Sequence, residues 1–250
     1  MRLGAGAVVA AAAVVVAVLC GPHMATRSAV QLQLASGELR VLGSLGAAAV
    51  CWPVPAGFDH FVVVVDDLPA AVAHMTALGF TVAAGGHHAG KGTENALVAM
   101  ADGTYLELLA FSPGLQRRVL GWAQGAGAAA WVAATLAPVR RHFFLMFAGL
   151  TEPTTYAVQV PSRDAWQALQ AELQQTPMTM SRGPLRWEML APRDPLQPFY
   201  IFDEPAGGPP RGGPFVAHPN GVTAITELCG HTAHGPVRSL RLAGHNDKYI

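Results

Sequence analysis

The chain has 250 residues, of which 51% are apolar and 13% charged, with a formal net charge of zero. That is enough for a large core in one or two domains. It excludes a basic nucleic-acid face, because Lys and Arg cluster no further than Arg117-Arg118 and Arg140-Arg141, and the three cysteines, Cys20, Cys51 and Cys229, form no CxxC motif of the zinc-finger or dithiol kind.

The first element is residues 1–25. Arg2 is followed by an apolar run of about 17 residues, below the roughly 20 that a spanning helix needs. Its length and position predict a secretory signal peptide and a protein of the secretory pathway. No small-x-small cleavage site precedes Gly21-Pro22, and no acidic residue precedes Glu38. An uncleaved membrane anchor touching the bilayer through residues 3–19 and an organelle transit peptide therefore stay open. Residues 26–56 show no clear period and are expected to be a linker or lead-in. Cys51 and Cys229 pair if the protein is secreted; free, buried thiols are the other reading.

Residues 57–112 carry the clearest signals. Phe58 to Val65 hold four consecutive valines, which favour a buried strand. Asp66 and Asp67 end it and offer an N-cap, with Pro69 where a helix tolerates a missing N–H. Leu68, Val72, Met75 and Leu78 follow at helical spacing, and Gly79 stops the helix. Residues 80–84 are expected to be a short strand and 85–92 a Gly/His-rich loop. Strands over 93–100 and 104–111 then flank the hairpin turn Asp102-Gly103. The order is βαβββ.

Residues 113–150 are too long for a plain connection. They contain Trp122, Trp131 and the apolar run His142-Phe143-Phe144-Leu145-Met146-Phe147, and are expected to form one or two helices, or a helix and a strand, covering one sheet. Residues 151–205 repeat the βαβββ order: a strand from Thr155, a helix capped by Ser162 with Trp166, Leu169 and Leu173 on one stripe, two strands around Ser181-Arg182-Gly183-Pro184, and a strand over 198–202. Trp187 is expected in the core. An internal repeat outweighs single-residue signals and predicts an α+β fold of two paired modules. Residues 206–250 are expected to be a Gly/Pro-rich loop, one extra strand over 221–229 after the turn His218-Pro219-Asn220-Gly221, and a poorly ordered tail.

Four motifs together resemble the glyoxalase-like domain family of the vicinal-oxygen-chelate superfamily: Asp59-His60 opening the valine strand, Gly85-Gly86-His87-His88 running on to Thr93-Glu94-Asn95, Tyr105-Leu106-Glu107-Leu108, and His218-Pro219-Asn220-Gly221. The resemblance covers residues 58–204 and, as a trailing element, 218–228. It implies two βαβββ modules forming an open, barrel-like sheet with helices outside and a small-molecule ligand inside the cup. It also implies a divalent metal (Zn, Ni, Fe, Mn or Mg) on His60 and Glu107, with Glu107 catalytic, and two counterparts from the second module. The sequence departs from that pattern: Thr154 or Thr155 stands against His60, and a position within 201–203 against Glu107. His87, His88, His142 and His218 remain as further ligand candidates.

Glu107 sits among leucines, where an ionised carboxylate costs several kcal/mol unless paired or metal-bound. His87, His88, Glu94, Asn95 and Tyr105 are the candidate substrate-binding residues. The function expected is a lyase, isomerase or dioxygenase acting on a vicinally oxygenated molecule; the alternative is a non-catalytic binding or sequestering protein of the same fold. A homodimer is expected by analogy with paired-module proteins.

Overall fold

A computed structural model describes residues 31–42, 50–88, 92–112, 136–147, 151–194, 197–203, 212–232 and 234–246. The N-terminal segment, Trp122 and Trp131 lie outside them. The first module runs β4 (Phe58–Val64), α1 (Leu68–Ala77), β5 (Ala83–His88), β6 (Thr93–Ala99) and β7 (Tyr105–Phe111). The second runs β8 (Thr154–Gln159), α3 (Arg163–Leu173), β9 (Met178–Arg182), β10 (Leu185–Leu190) and β11 (Phe199–Asp203). The two βαβββ halves join in one eight-stranded sheet of order β5-β6-β7-β4-β8-β11-β10-β9.

Local chemistry builds each half alike. Asp67 caps α1 through a bond from the Ala70 amide, and Ser162 caps α3 through the Ala165 amide. In each half the first and last strands are parallel, β4 with β7 and β8 with β11, while β4 meets β8 antiparallel. The valines of β4 are buried on both faces because β4 is central, each worth about 1.5–3 kcal/mol.

Alternation along the strands separates two faces. On the convex side Phe61, Val63, Leu106 and Leu108 pack with Met75 of α1, and Trp166 of α3 packs on Leu190 and Phe202. Trp166 Nε1 and Arg163 both donate to Glu188, fixing α3 to β10. The insertion contributes α2 (Pro138–Phe147), which lies on the concave side with Val62, Val64 and Phe199. Among the described residues, two helices are thus outside the sheet and a third covers its cup.

Both ends differ from expectation. The lead-in carries β1 (Gln31–Ala35), β2 (Glu38–Leu42) and β3 (Val50–Pro53), and the tail carries β13 (Val237–Ala243) beyond β12 (Ala224–Gly230). They form a second sheet of order β1-β2-β13-β12-β3. Leu39, Leu228 and Leu240 of this sheet share the core of the first module's convex face. Cys51 and Cys229 lie directly opposite in the β3–β12 register and are joined by a disulfide. Pairings between chain ends leave no local period, which is why 26–56 looks like a linker.

The second correction concerns β5. Residues 81–82 are not strand; the Thr81 amide donates instead to His218 Nδ1. Pairing with β6 continues to His88, through a register shift between Ala84 and Gly86. Residues 85–88 of the expected loop are therefore strand. Gly85 is required there, since a Cβ would sit 2.0 Å from Asn95 Oδ1.

The His218-Pro219-Asn220-Gly221 turn is a clasp. His218 Nε2 donates to Ala99 O while Nδ1 accepts from Thr81, and burial lowers its pKa, in keeping with a neutral ring. Asn220 is fully buried; its amide donates to Leu78 O and its carbonyl accepts from the Val222 amide. Asn220→Ala orphans both backbone groups and is expected to cost about 3 kcal/mol by urea denaturation. A loss under 1 kcal/mol would show the clasp to be ornamental.

Candidate active site

The concave face holds a cavity of about 350 Å³. From the first module His60 (β4), Tyr105 and Glu107 (β7), Thr93 and Asn95 (β6) and His88 (β5) line it. The alternation of each strand delivers them, since 105 and 107, like 93 and 95, share a face. From the second module come Met178, Met180, Trp187, Met189 and Phe199, and from α2 come Arg140, Phe143, Phe144 and Phe147. The cavity is polar at one side of its floor and, apart from Arg140 and Arg182, apolar elsewhere.

His60 and Glu107 meet. Nε2 stands 3.4 Å from Glu107 Oε2, while Nδ1 stands 2.6 Å from Asp59 Oδ1. Tyr105 stacks on the imidazole at 4.4 Å and Phe199 meets it edge-on at 5.5 Å. Asn95 Nδ2 donates to the other carboxylate oxygen, Oε1. Burial opposes charge on His60, but the bonds to Asp59 and Glu107 outweigh it and hold its pKa above the usual value. Burial likewise pushes Glu107 up, but the His60 bond and charge, with help from His88 and Asn95, bring it below the usual carboxylate range. The state that fits is an imidazolium donating to two carboxylates.

His88 lines the same wall, its Nδ1 at 2.8 Å from Thr93 Oγ1, and burial lowers its pKa. The other two substrate-binding candidates are elsewhere. His87 is exposed and pairs with Glu94 at 3.2 Å, and neither lines the cavity. They alternate with His88 and Asn95, so the strand puts them on the opposite face.

The second module supplies no mirror-image pair. The N-caps Asp67 and Ser162 set a 95-residue offset between modules, which places Thr155 against His60. Val62 pairs with Glu107, and its counterpart Ala157 pairs with Phe199. The residue matching Glu107 is thus Phe199, not one within 201–203. His142 of α2 fills the space: its Nε2 lies 3.1 Å from Thr155 Oγ1 and its ring 6.1 Å from Phe199.

A divalent cation fits this set poorly. His60 and Glu107 are two donors, whereas catalytic zinc sites keep three protein ligands. Among the described residues no third His, Cys, Asp or Glu atom joins them; the one such group is Cys51, Glu227 and Cys229, whose sulfurs are bonded to each other. His218 is spent on the clasp.

His142 is buried and its pKa is lowered to about 4, chiefly by burial and then by Arg141. The unfolded chain takes up this proton near the ordinary 6.5 and the folded protein only near 4. Stability present in full above pH 6.5 is therefore lost as pH falls towards 4, by about 3 kcal/mol in all. His142→Gln is expected to flatten that acid slope in urea midpoints measured from pH 7 to 4. An unchanged slope would mean that His142 is not what the acid attacks.

The sequence gives Asp59, Arg140 and Arg182 no place in the site and the α2 phenylalanines only that of covering a sheet; Trp187 is in the core as expected and also lines the cavity. The α2 face was detectable: Arg140, Phe143, Phe144 and Phe147 follow the i, i+3, i+4, i+7 spacing of one helix stripe.

The two βαβββ modules thus share one sheet whose cavity has the buried His60–Glu107 pair on its floor. The family model of the glyoxalase-like domain matches residues 58–240, and the chain belongs to that family. No curated protein matches the chain. Among solved structures, a hypothetical protein from Staphylococcus aureus is similar at 18% identity and a TM-score of 0.36, over 59% of this chain and 58% of that one. A variant of Streptomyces coelicolor methylmalonyl-CoA epimerase, in complex with 2-nitronate-propionyl-CoA, is similar at 17% identity and a TM-score of 0.33, over 59% of this chain and 96% of that one.

Proposed function

We propose that this protein is a glyoxalase-like enzyme of the lyase or isomerase type that moves a proton on a small oxygenated molecule without a resident metal. The observation that carries this reading is the His60–Glu107 pair, 3.4 Å apart at the cavity floor. Enolisation needs a base at a carbon and an acid at the neighbouring oxygen. Glu107 removes the proton from the hydroxyl-bearing carbon beside a carbonyl, and the His60 imidazolium donates its proton to the carbonyl oxygen, giving an enediol; Glu107 then returns its proton to the former carbonyl carbon while His60 takes the proton of the other hydroxyl, which completes an isomerisation. Asp59 keeps the ring oriented and charged, and Asn95 keeps Glu107 in place. The dioxygenase branch of the expectation needs a redox metal, for which two donors give a poor seat.

The test is deuterium uptake, followed by NMR in D2O, across a panel of α-hydroxy ketones and α-keto acids. Exchange next to the carbonyl is expected with the chelator-treated protein and should fall about 10²–10⁴-fold in Glu107→Gln. Exchange lost on chelation and restored by a divalent cation would return the metal to the mechanism. Saturable binding with no exchange would favour the sequestering protein, a reading the mostly apolar cavity wall supports. A secretory location is proposed alongside, since a Cys51–Cys229 disulfide persists in an oxidising compartment.

A further inference from the structure

We infer that the molecule taken by this cavity is an organic anion with an apolar body, its charge held at the mouth by Arg140 and Arg182. The inference rests on the reading of the cavity as the reaction site and adds the class of substrate.

The charges of the described lining are few. Glu107 is its acid and is matched by His60; the remaining charges are the two guanidiniums. Arg140 stands on the same stripe of α2 as three cavity phenylalanines, yet is itself exposed, which places it where the apolar wall meets solvent. Its neighbour Arg141 turns away to Arg193 O. Arg182 ends β9, one edge of the eight-stranded sheet, and reaches Gly85 O on β5, the other edge. It closes the open side of the cup and brings positive charge to that rim, enough to help lower the His88 pKa after burial.

Size and lining set the rest of the molecule. At ~30 Å³ per water, a cavity of about 350 Å³ holds about a dozen waters, and so a molecule of roughly that many non-hydrogen atoms. Between floor and mouth the wall is aromatic and thioether, suited to an aryl or short alkyl body. Guanidiniums suit a carboxylate, which they bind with two parallel bonds. The expected ligand is therefore a carboxylate of medium length, charged end at the mouth and oxygenated carbon at the floor.

Calorimetric titration with 4-phenylbutyrate and its amide tests this. The carboxylate is expected to bind about tenfold tighter than the amide at low salt. Arg140→Gln should bring the ratio near one, Arg140→Lys should keep much of it, and Arg182→Gln should reduce it. Equal affinity for acid and amide, a ratio that survives both Gln variants, or no saturable binding of the acid at millimolar concentration overturns the inference. A ratio that behaves as expected beside deuterium exchange indifferent to Glu107 keeps the anion site and removes the proposed chemistry; exchange that needs Glu107 beside equal affinities does the reverse.

Discussion

Removing one partner of the His60–Glu107 pair is expected to cost the fold about 3–5 kcal/mol, while replacing both by apolar side chains should cost little or nothing. Two terms compete. Both groups are buried, so each pays several kcal/mol of lost hydration, which their mutual attraction and the bonds to Asp59 and Asn95 offset. With the pair intact the terms nearly cancel. In His60→Phe the carboxylate keeps Asn95 and the influence of His88, and in Glu107→Leu the imidazolium keeps Asp59, so most of the hydration cost stands exposed. His60→Phe/Glu107→Leu has no charge left to pay for at those positions. Urea denaturation of wild type, both single variants and the double variant at pH 6 measures all of this, and single variants each within 1 kcal/mol of wild type would show that the two groups are not a buried ion pair.

The pH dependence gives an independent reading. The His60 pKa is raised above its ordinary 6.5, so its contribution is complete below that pH and is lost as pH climbs through the folded value. The Glu107 pKa is lowered from 4.5, so its contribution is complete above that pH and is lost as pH falls through the folded value. The stability difference between wild type and the double variant should thus be greatest between about pH 4.5 and 6.5 and decline on both sides. His142 titrates in both proteins and drops out of the difference. A profile without that maximum would contradict the charge state assigned to the floor.

How much of this was legible in the sequence depends on the range of the signal. The modules announce themselves locally: the valines of β4, the caps Asp67 and Ser162, and the Asp102-Gly103 turn each act within a few residues. The meeting of His60 and Glu107 was legible through the repeat and the family motifs that place them on the first and last strands of one module. The five-stranded sheet was not, because Glu38 pairs with Arg241 and Cys51 with Cys229, and no local period reports a partner so distant. The face of His88 turns on the irregularity between Ala84 and Gly86. The identity of Phe199 as the match to Glu107 turns on where β11 enters register with β8. Both are decided by pairing, not by composition. Arg140 escaped for a different reason: as half of an Arg-Arg dipeptide it has the signature of ordinary surface, and only the seating of α2 gives it a cavity.

Reducing the Cys51–Cys229 disulfide is expected to be the larger single loss, about 5 kcal/mol from chain entropy alone. The bond closes a loop with a sequence separation of 178 residues, which contains both βαβββ modules, and the freedom that such a crosslink removes from the unfolded chain grows with loop length. Without it β3 is an edge strand held to β12 by four residue pairs, Val50 to Pro53 against Gly230 to Glu227. A strand that short contributes little on its own. For a chain of this size each kcal/mol moves the melting temperature by about 2–4 °C, so the reduced protein should melt roughly 10–20 °C lower. Cys51→Ala/Cys229→Ala should melt at the same temperature with and without reductant, near the reduced wild type. If instead reductant leaves the wild-type transition in place, the two thiols are not bonded in solution. The five-stranded sheet would then owe its stability to the Leu39, Leu228 and Leu240 core it shares with the first module, and the secretory placement would lose its chemical support.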